Sequence, residues 1–402
     1  VGGRIDAPAR ILRYSQNSIN ISAWLRITTA AGLLCGLSLS WRLWLSSRLF
    51  PLAPVSDSLP AIPFPFDLAW LLALLGLLLA ILVAARPGRL IAAFLVLAGL
   101  LSLWDQTRWQ PWFYQYVFML AAIGCLGGKR AGERRPQPAL DACRLIVACT
   151  YLWSGLQKLN VTFVREAWPD MAAPLLRSLP AGLGRVVSSA SPLIPALEIL
   201  VGLGLVTRRY RNGAVLLAIG THAGVLLLLV ASGENRVVWP WNAAMAVFVF
   251  VLFWQDRETR PRDVVVPRNA IHLLIAVLFG VLPALSLVDS WDSYLSAALY
   301  SGNTHQAVIL IGPEAVNRLP APIRRYVWRQ TSPFFVDINR WAYGELDVPL
   351  YPEPRVYRRV AERVCSYPGA ADVRLLIRDR PYPVTGRRHA EIYDCGHLDQ
   401  VP

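Results

Sequence analysis

Phe66-Asp67-Leu68-Ala69-Trp70-Leu71-Leu72-Ala73-Leu74-Leu75-Gly76-Leu77-Leu78-Leu79-Ala80-Ile81-Leu82-Val83-Ala84-Ala85 is a run of twenty residues with a single charge. As a helix it is about 30 Å long, the thickness of a bilayer's hydrocarbon layer. Working outward, similar runs lie near 23–44, 89–105, 111–127, 139–157, 192–207, 213–231, 237–254 and 269–289. The chain has 402 residues, 55% of them hydrophobic and 16% charged, and its apolar segments are too long and too many for a soluble core. The reading is an all-α polytopic membrane bundle of nine spans over residues 1–289. A small α+β domain over residues 290–402 follows.

A net charge of +14 raises nucleic acid as a partner, but the placement of the charge argues against it. With the N-terminus inside, sixteen Lys and Arg fall in inner segments and six in outer loops. The inner set is Arg4, Arg10, Arg13, Arg86, Arg89, Lys129, Arg130, Arg134, Arg135, Arg208, Arg209, Arg211, Arg257, Arg260, Arg262 and Arg268. The outer set is Arg48, Arg108, Arg165, Arg177, Arg185 and Arg236. This is the positive-inside pattern, so the basic charge orients the chain in lipid. The first apolar run has no small-residue cleavage site after it and reads as a retained span. Nine spans then put the C-terminal domain on the extracytoplasmic side.

In that tail, residues 354–366 have helical spacing, while 372–378 and 388–394 read as strands. Cys365 and Cys395 lie there and would pair in an oxidising compartment, or remain two unrelated thiols. Cys35, Cys125, Cys143 and Cys149 read as small buried apolar residues. No CxxC, HExxH or histidine cluster points to a metal. The outer loop 159–191, with Trp168, Pro169, Pro174, Pro180 and Gly182, is expected to fold over the outer face in short helical pieces.

Of forty basic residues only Lys129 and Lys158 are lysines. Arginine stays charged everywhere, whereas a lysine in apolar surroundings can give up its proton and act as a base. Lys158 ends the fifth run, in Tyr151-Leu152-Trp153-Ser154-Gly155-Leu156-Gln157-Lys158-Leu159-Asn160. The topology sets Asp105, Arg108, Lys158, Glu198, His222, Glu234 and Arg236 in the outer half of the bundle. Ionisable groups at membrane depth usually face a cavity or one another. One outward-opening polar pocket is therefore expected, walled by Trp109, Trp112, Trp153, Trp239 and Trp241. Plainer roles exist for each: Lys158 snorkelling to the interface, Glu198 in a structural ion pair, His222 hydrogen-bonded in the core, Asp105 and Arg108 capping a turn. Trp41, Trp44 and Trp70 read as an interfacial belt.

The pattern Asp105-x-Thr107-x-Trp109-x(4)-Tyr114, followed by Tyr151-x(3)-Gly155-x(2)-Lys158-Leu159, resembles the membrane domain of vitamin K-dependent gamma-glutamyl carboxylase. It is similar as well to that enzyme's bacterial relatives, the horizontally transferred transmembrane domain (HTTM) proteins, and more distantly to DoxX-like proteins. The resemblance covers roughly residues 20–290 and continues more weakly through Leu197-Glu198 and His222. It implies that Lys158 deprotonates a membrane quinol, with Glu198, His222 and Asp105 orienting it or the substrate. Trp109, Trp112, Trp153 and Trp239 would then hold the quinone ring. In the family, oxygen turns the quinol into a strong base that opens the way to carboxylation. The carboxylase turn has Asn-His where this chain has Pro111-Trp112, and its outer region is much larger.

Two readings follow. One is a bacterial inner-membrane enzyme acting on menaquinol or ubiquinol with Lys158 as base. The other is a non-catalytic subunit or lipid- or quinone-binding scaffold, docking a membrane or periplasmic partner through its tail. Neither reading calls for a metal.

Overall fold

The apolar runs fold as helices. A computed structural model describes residues 7–60, 62–126, 138–331, 333–367 and 372–401. Of the basic residues counted above, Arg4, Lys129, Arg130, Arg134 and Arg135 lie outside the described residues. In chain order the helices are α1 (Ala7–Leu39), α2 (Phe66–Val83), α3 (Gly88–Leu103), α4 (Pro111–Leu126), α5 (Pro138–Gln157), α6 (Trp168–Leu176), α7 (Ala181–Ser189), α8 (Leu193–Val206), α9 (Arg211–Ser232), α10 (Val238–Phe253), α11 (Pro261–Val265) and α12 (Ala270–Ile275). Beyond α12 the winding loosens to a π turn (Ala276–Val281) and then tightens to a 3-10 helix (Leu282–Val288). Two of the rod's carbonyls accept side chains from other helices: Gly280 from the Trp153 indole (3.2 Å) and Leu278 from the Tyr114 hydroxyl (3.5 Å).

Five helical stretches among the described residues are long and apolar enough to cross a membrane: Asn20–Leu39, α2, α5, α9 and the rod Ala270–Val288. A sixth arises if α7 and α8, bent by 59° at their break, count as one span. The helices α3, α4 and α10 are apolar but have 16 residues each, about 24 Å long. Helix α2 buries Leu71, Leu74, Leu78 and Ile81 at helical spacing, while its outward face presents Leu72 and Leu79. Leu203, Leu216, Leu227 and Phe250 are likewise exposed. Helices apolar on both faces suit an apolar surrounding, so this architecture is compatible with a membrane protein.

Charge pins one end of α5. Arg144 pairs with Asp141 (2.9 Å) and Asp256 (3.1 Å), and Asp256 also meets Arg211 (3.4 Å). Arg268 bonds Asp263 and lies 3.7 Å from Asp141. These pairs tie the start of α9 and the segments on either side of α11 to the start of α5. The far end of α5 carries Lys158.

The tail forms β1 (Gln306–Ile311), α13 (Pro313–Arg318), α14 (Ala321–Arg324), β2 (Val327–Trp328), β3 (Phe334–Val336), α15 (Ile338–Leu346), α16 (Pro354–Cys365), β4 (Val373–Arg378) and β5 (Ala390–Asp394). They make one antiparallel sheet in the order β2-β3-β1-β4-β5. Helix α16 and strands β4 and β5 fall on the segments whose spacing indicates them. The central strand β1, Gln-Ala-Val-Ile-Leu-Ile, has a nearly continuous apolar run without period-2 alternation, so its sequence alone does not distinguish strand from buried helix. The tail docks on the Lys158 end: Asn303 donates to Gln157 (2.7 Å), Gln110 to the Pro349 carbonyl (3.1 Å), and Arg355 bonds Gln106.

Cys365, at the end of α16, is bonded to Cys395 beyond β5. Of the remaining cysteines Cys143 and Cys149 are buried, but Cys35 and Cys125 are exposed on helix surfaces, which corrects the reading of all four as buried. The bond closes a loop across a sequence separation of 30 residues. Chain entropy alone then makes it worth about 3–4 kcal/mol. Cys365→Ser with Cys395→Ser is expected to lower tail stability by that order, measured as earlier proteolysis on heating. Equal cleavage with and without the bond would reject the estimate.

Candidate functional site

Two glycines bring the polar residues together. A Cβ at Gly155 would lie 2.7 Å from the Pro195 carbonyl, and one at Gly202 would lie 2.8 Å from the Leu152 nitrogen. Helices α5 and α8 therefore approach backbone to backbone, as small residues allow between membrane helices. That contact sets Lys158 against Glu198. The Lys158 Nζ donates to Glu198 Oε2 at 2.8 Å and to Ser154 Oγ at 2.5 Å, and lies 3.3 Å from the Ser154 carbonyl. The two side chains are only 8% and 12% exposed. The ammonium group is thus turned into the protein, one helical turn back along α5.

Both residues line a cavity of about 380 Å³ between α5, α8, α9 and α10, with α6 on one side. His222 on α9 lines the same space. Its Nδ1 is 2.9 Å from Asn242 Oδ1, and its Nε2 is 2.5 Å from the Tyr151 hydroxyl. Asn242 Nδ2 donates to the Val238 carbonyl at 2.8 Å, so Oδ1 is the acceptor that faces His222. The imidazole then carries its proton on Nδ1 and accepts the Tyr151 O–H at Nε2. The rest of the wall is mostly apolar. Tyr114 stacks on Phe279 with ring centroids 4.6 Å apart, and both line the cavity with Trp153, Trp241 and Met245. Trp168 and Met171 of α6 also line it, beside Asp170 and Arg177, as do Tyr294, Leu295 and Tyr300 at the start of the tail. A volume of this size, apolar with a few convergent polar groups, is typical of a small-ligand site. No group of His, Cys, Asp and Glu arranged to hold a metal occurs among the described residues.

Not every expected residue reaches this cavity. Lys158, Glu198, His222, Glu234, Trp153 and Trp241 line it; Asp105, Arg108, Arg236, Trp109, Trp112 and Trp239 do not. Asp105 is fully buried in a separate cluster, bonded to Arg48, with Arg108 at 3.9 Å. Its carboxylate also accepts from the Thr107 (3.1 Å) and Ala53 (3.2 Å) amides, so it organises the turn before α4 rather than orienting Lys158. Trp109 donates to the Ser102 carbonyl (2.9 Å) and meets Tyr351 of the tail edge-on. Trp112 is 1% exposed and sits against Gly36 of α1, where a Cβ would lie 2.5 Å from its ring. It fills a helix interface. Trp239 donates to the Glu234 carbonyl (3.1 Å) at the turn between α9 and α10. Trp44 is fully buried under the Arg108 guanidinium, 5.5 Å from its ring, and so is no belt residue.

Among the cavity residues that sequence reasoning left without a role are Tyr151, Ser154 and Asn242. Tyr151, Ser154 and Lys158 stand at i, i+3 and i+7, one face of α5, and that spacing was the available signal. Asn242 gave none, because its partner His222 is on another helix. Comparison with protein-family models, with curated proteins and with solved structures finds no match to this chain.

Proposed function

We propose that the chain is a multi-pass protein of a bacterial inner membrane, and that the cavity between α5, α8, α9 and α10 binds a membrane quinol whose hydroxyl is deprotonated at Lys158. In this reading the apolar helices, the three 16-residue ones included, make nine spans, and the disulfide-bearing tail lies on the extracytoplasmic side. One observation carries the functional part: a buried Lys158–Glu198 pair set into a largely apolar, aromatic-walled cavity. A quinone ring fits such walls, and Trp153 and Trp241 supply the indole faces; Trp109, Trp112 and Trp239 have no part in it. The likeness to the carboxylase segment Tyr151–Leu159 supports the same assignment.

The ion pair shapes the proton transfer. Lys158 begins as an ammonium and Glu198 as a carboxylate. The proton leaving the ligand hydroxyl is taken by Lys158 as Lys158 passes one of its own to Glu198, 2.8 Å away, and Glu198 ends as the carboxylic acid. Lys158 remains an ammonium facing the oxygen that holds the charge. Water exclusion by the apolar walls strengthens that contact. The expected result is oxygen-dependent oxidation of menaquinol or ubiquinol by the protein in lipid, lowered at least tenfold by both Lys158→Ala and Lys158→Arg. Unchanged oxidation and binding in both variants would sink the enzyme reading.

A specific feature favours a second reading, a non-catalytic subunit or lipid- or quinone-binding scaffold that docks a membrane or periplasmic partner through its tail. Buried Trp112 stands where the carboxylase keeps a histidine. Quinol binding without turnover in the same assay selects this alternative.

A further inference from the structure

The connection between β4 and β5 contains Pro381-Tyr382-Pro383-Val384-Thr385-Gly386-Arg387 and is tied to the ends of two membrane-length helices. The strand register puts it at the sheet end nearest the bundle. Gln306, the first residue of β1, pairs with Arg378, and Arg378 pairs with Ala390. Ahead of the turn, Arg380 lies 2.9 Å from Asp289, just past the rod Ala270–Val288. It also donates to the carbonyls of Trp291 (2.9 Å) and Ser286. Within the turn, the Pro383 carbonyl accepts the Val161 amide at 2.8 Å, just past the end of α5. Gly386 permits that seat. It closes the turn with its amide on the Tyr382 carbonyl (2.8 Å) at φ +70°, and a Cβ there would stand 3.0 Å from Val161 Cγ1.

The turn nevertheless leaves its apolar side chains uncovered. Tyr382 is 68% exposed and Val384 87%, and Leu159, at the same end of α5, is 53% exposed. Helix α5 has 20 residues, about the 30 Å of a hydrocarbon layer. What is bonded just past its end therefore lies where hydrocarbon gives way to headgroups. A tyrosine suits that level, with its ring toward the acyl chains and its hydroxyl toward water. Arg387, exposed on the same turn, can donate to a lipid phosphate. We infer that Tyr382 and Val384 dip into the phospholipid headgroup layer, so that this turn anchors the tail on the membrane surface. A protein partner would need the turn to stand clear of the bilayer, whereas its two tethers hold it at the helix ends. The inference rests on reading α5 and the rod as spans and is independent of what the cavity binds.

The test uses the whole protein in phospholipid nanodiscs, with Cys35→Ser and Cys125→Ser removing the two exposed free thiols. A nitroxide is attached singly through Val384→Cys, Glu314→Cys or Leu79→Cys. Glu314 follows the far end of β1, and Leu79 is 53% exposed on the outward face of α2. Collisions of the label with apolar oxygen and with a water-soluble nickel chelate are compared. The oxygen-to-nickel ratio at the Val384 site is expected to exceed that at the Glu314 site by about threefold or more, and to stay below that at the Leu79 site, as for a group at the interface. Tyr382→Cys, labelled in the same way, carries the test if Val384→Cys folds poorly. Equal ratios at the Val384 and Glu314 sites, with a high ratio at the Leu79 site, overturn the anchor and leave the spans standing. Equal ratios at all three sites overturn both.

Discussion

Asp105→Ala is expected to destabilise the protein by about 3–5 kcal/mol, the usual cost of stranding a buried charge by removing its partner. Here the stranded groups are Arg48 and Arg108, each only 2% exposed. Arg108 has few alternatives: it already donates to the carbonyls of Leu43 (3.2 Å), Leu101 (2.5 Å) and Trp44 (3.2 Å). The alanine also frees the Thr107 and Ala53 amides from their shared acceptor. The turn before α4 and the chain beyond α1 meet at this carboxylate, so its loss should loosen both. Burial acts to raise the Asp105 pKa, but Arg48 and Arg108 outweigh it, and the group titrates below its ordinary value of 3.8. A depressed carboxylate contributes its stability in full above the unfolded pKa, near 3.8. That contribution fades as pH falls toward and through the lower folded value. The gap between wild type and Asp105→Asn should therefore be constant from neutral pH down to about 4 and narrow only below it. Denaturant unfolding in mixed micelles across that range checks both claims. A loss under 1 kcal/mol, or a gap that closes already at pH 6, would show that Asp105 does not hold the two arginines.

The same residue shows where sequence ceases to be enough. Apolar length at 1.5 Å per residue located the helical segments, because lipid-compatible helices must satisfy their backbone internally. Basic loop charge supplies only an expected sidedness. Neither quantity says which of several polar residues at similar depth share a space. Asp105 and Lys158 read as equals along the chain, yet Arg48, 57 residues upstream, captures one while the α5–α8 glycine contact delivers Glu198 to the other. Trp112 was legible as aromatic but not as a plug, because its seat is Gly36 on another helix. In contrast, Tyr151, Ser154 and Lys158 lie on one turn-spaced face of a single helix, and their proximity was available from spacing alone. Pairings across helices depend on packing, and only close approach of backbones, marked here by Gly155 and Gly202, foreshadows them.

Breaking the Lys158–Glu198 pair from either side is expected to cost about 3 kcal/mol, and breaking both sides together distinctly less than twice that. Lys158→Met leaves a carboxylate 12% exposed with no cation bonded to it. Glu198→Gln leaves an ammonium whose remaining partners are the hydroxyl and carbonyl of Ser154. Each single change thus buries an unbalanced charge in an apolar wall, where the desolvation cost exceeds what a neutral hydrogen bond returns. The double variant Lys158→Met with Glu198→Gln carries no charge there and keeps similar volume, so most of the penalty should vanish. A coupling of about 2–3 kcal/mol in the cycle is the expected result. Additive losses would mean that the two groups act independently and that the proton route from ligand to Glu198 has no basis. The binding readout separates structure from chemistry. If the pair only braces α5 against α8, the double variant regains stability and binds menaquinol or ubiquinol as wild type does. If the ammonium faces the ligand oxygen, stability returns but binding does not, because a methionine cannot donate to that oxygen.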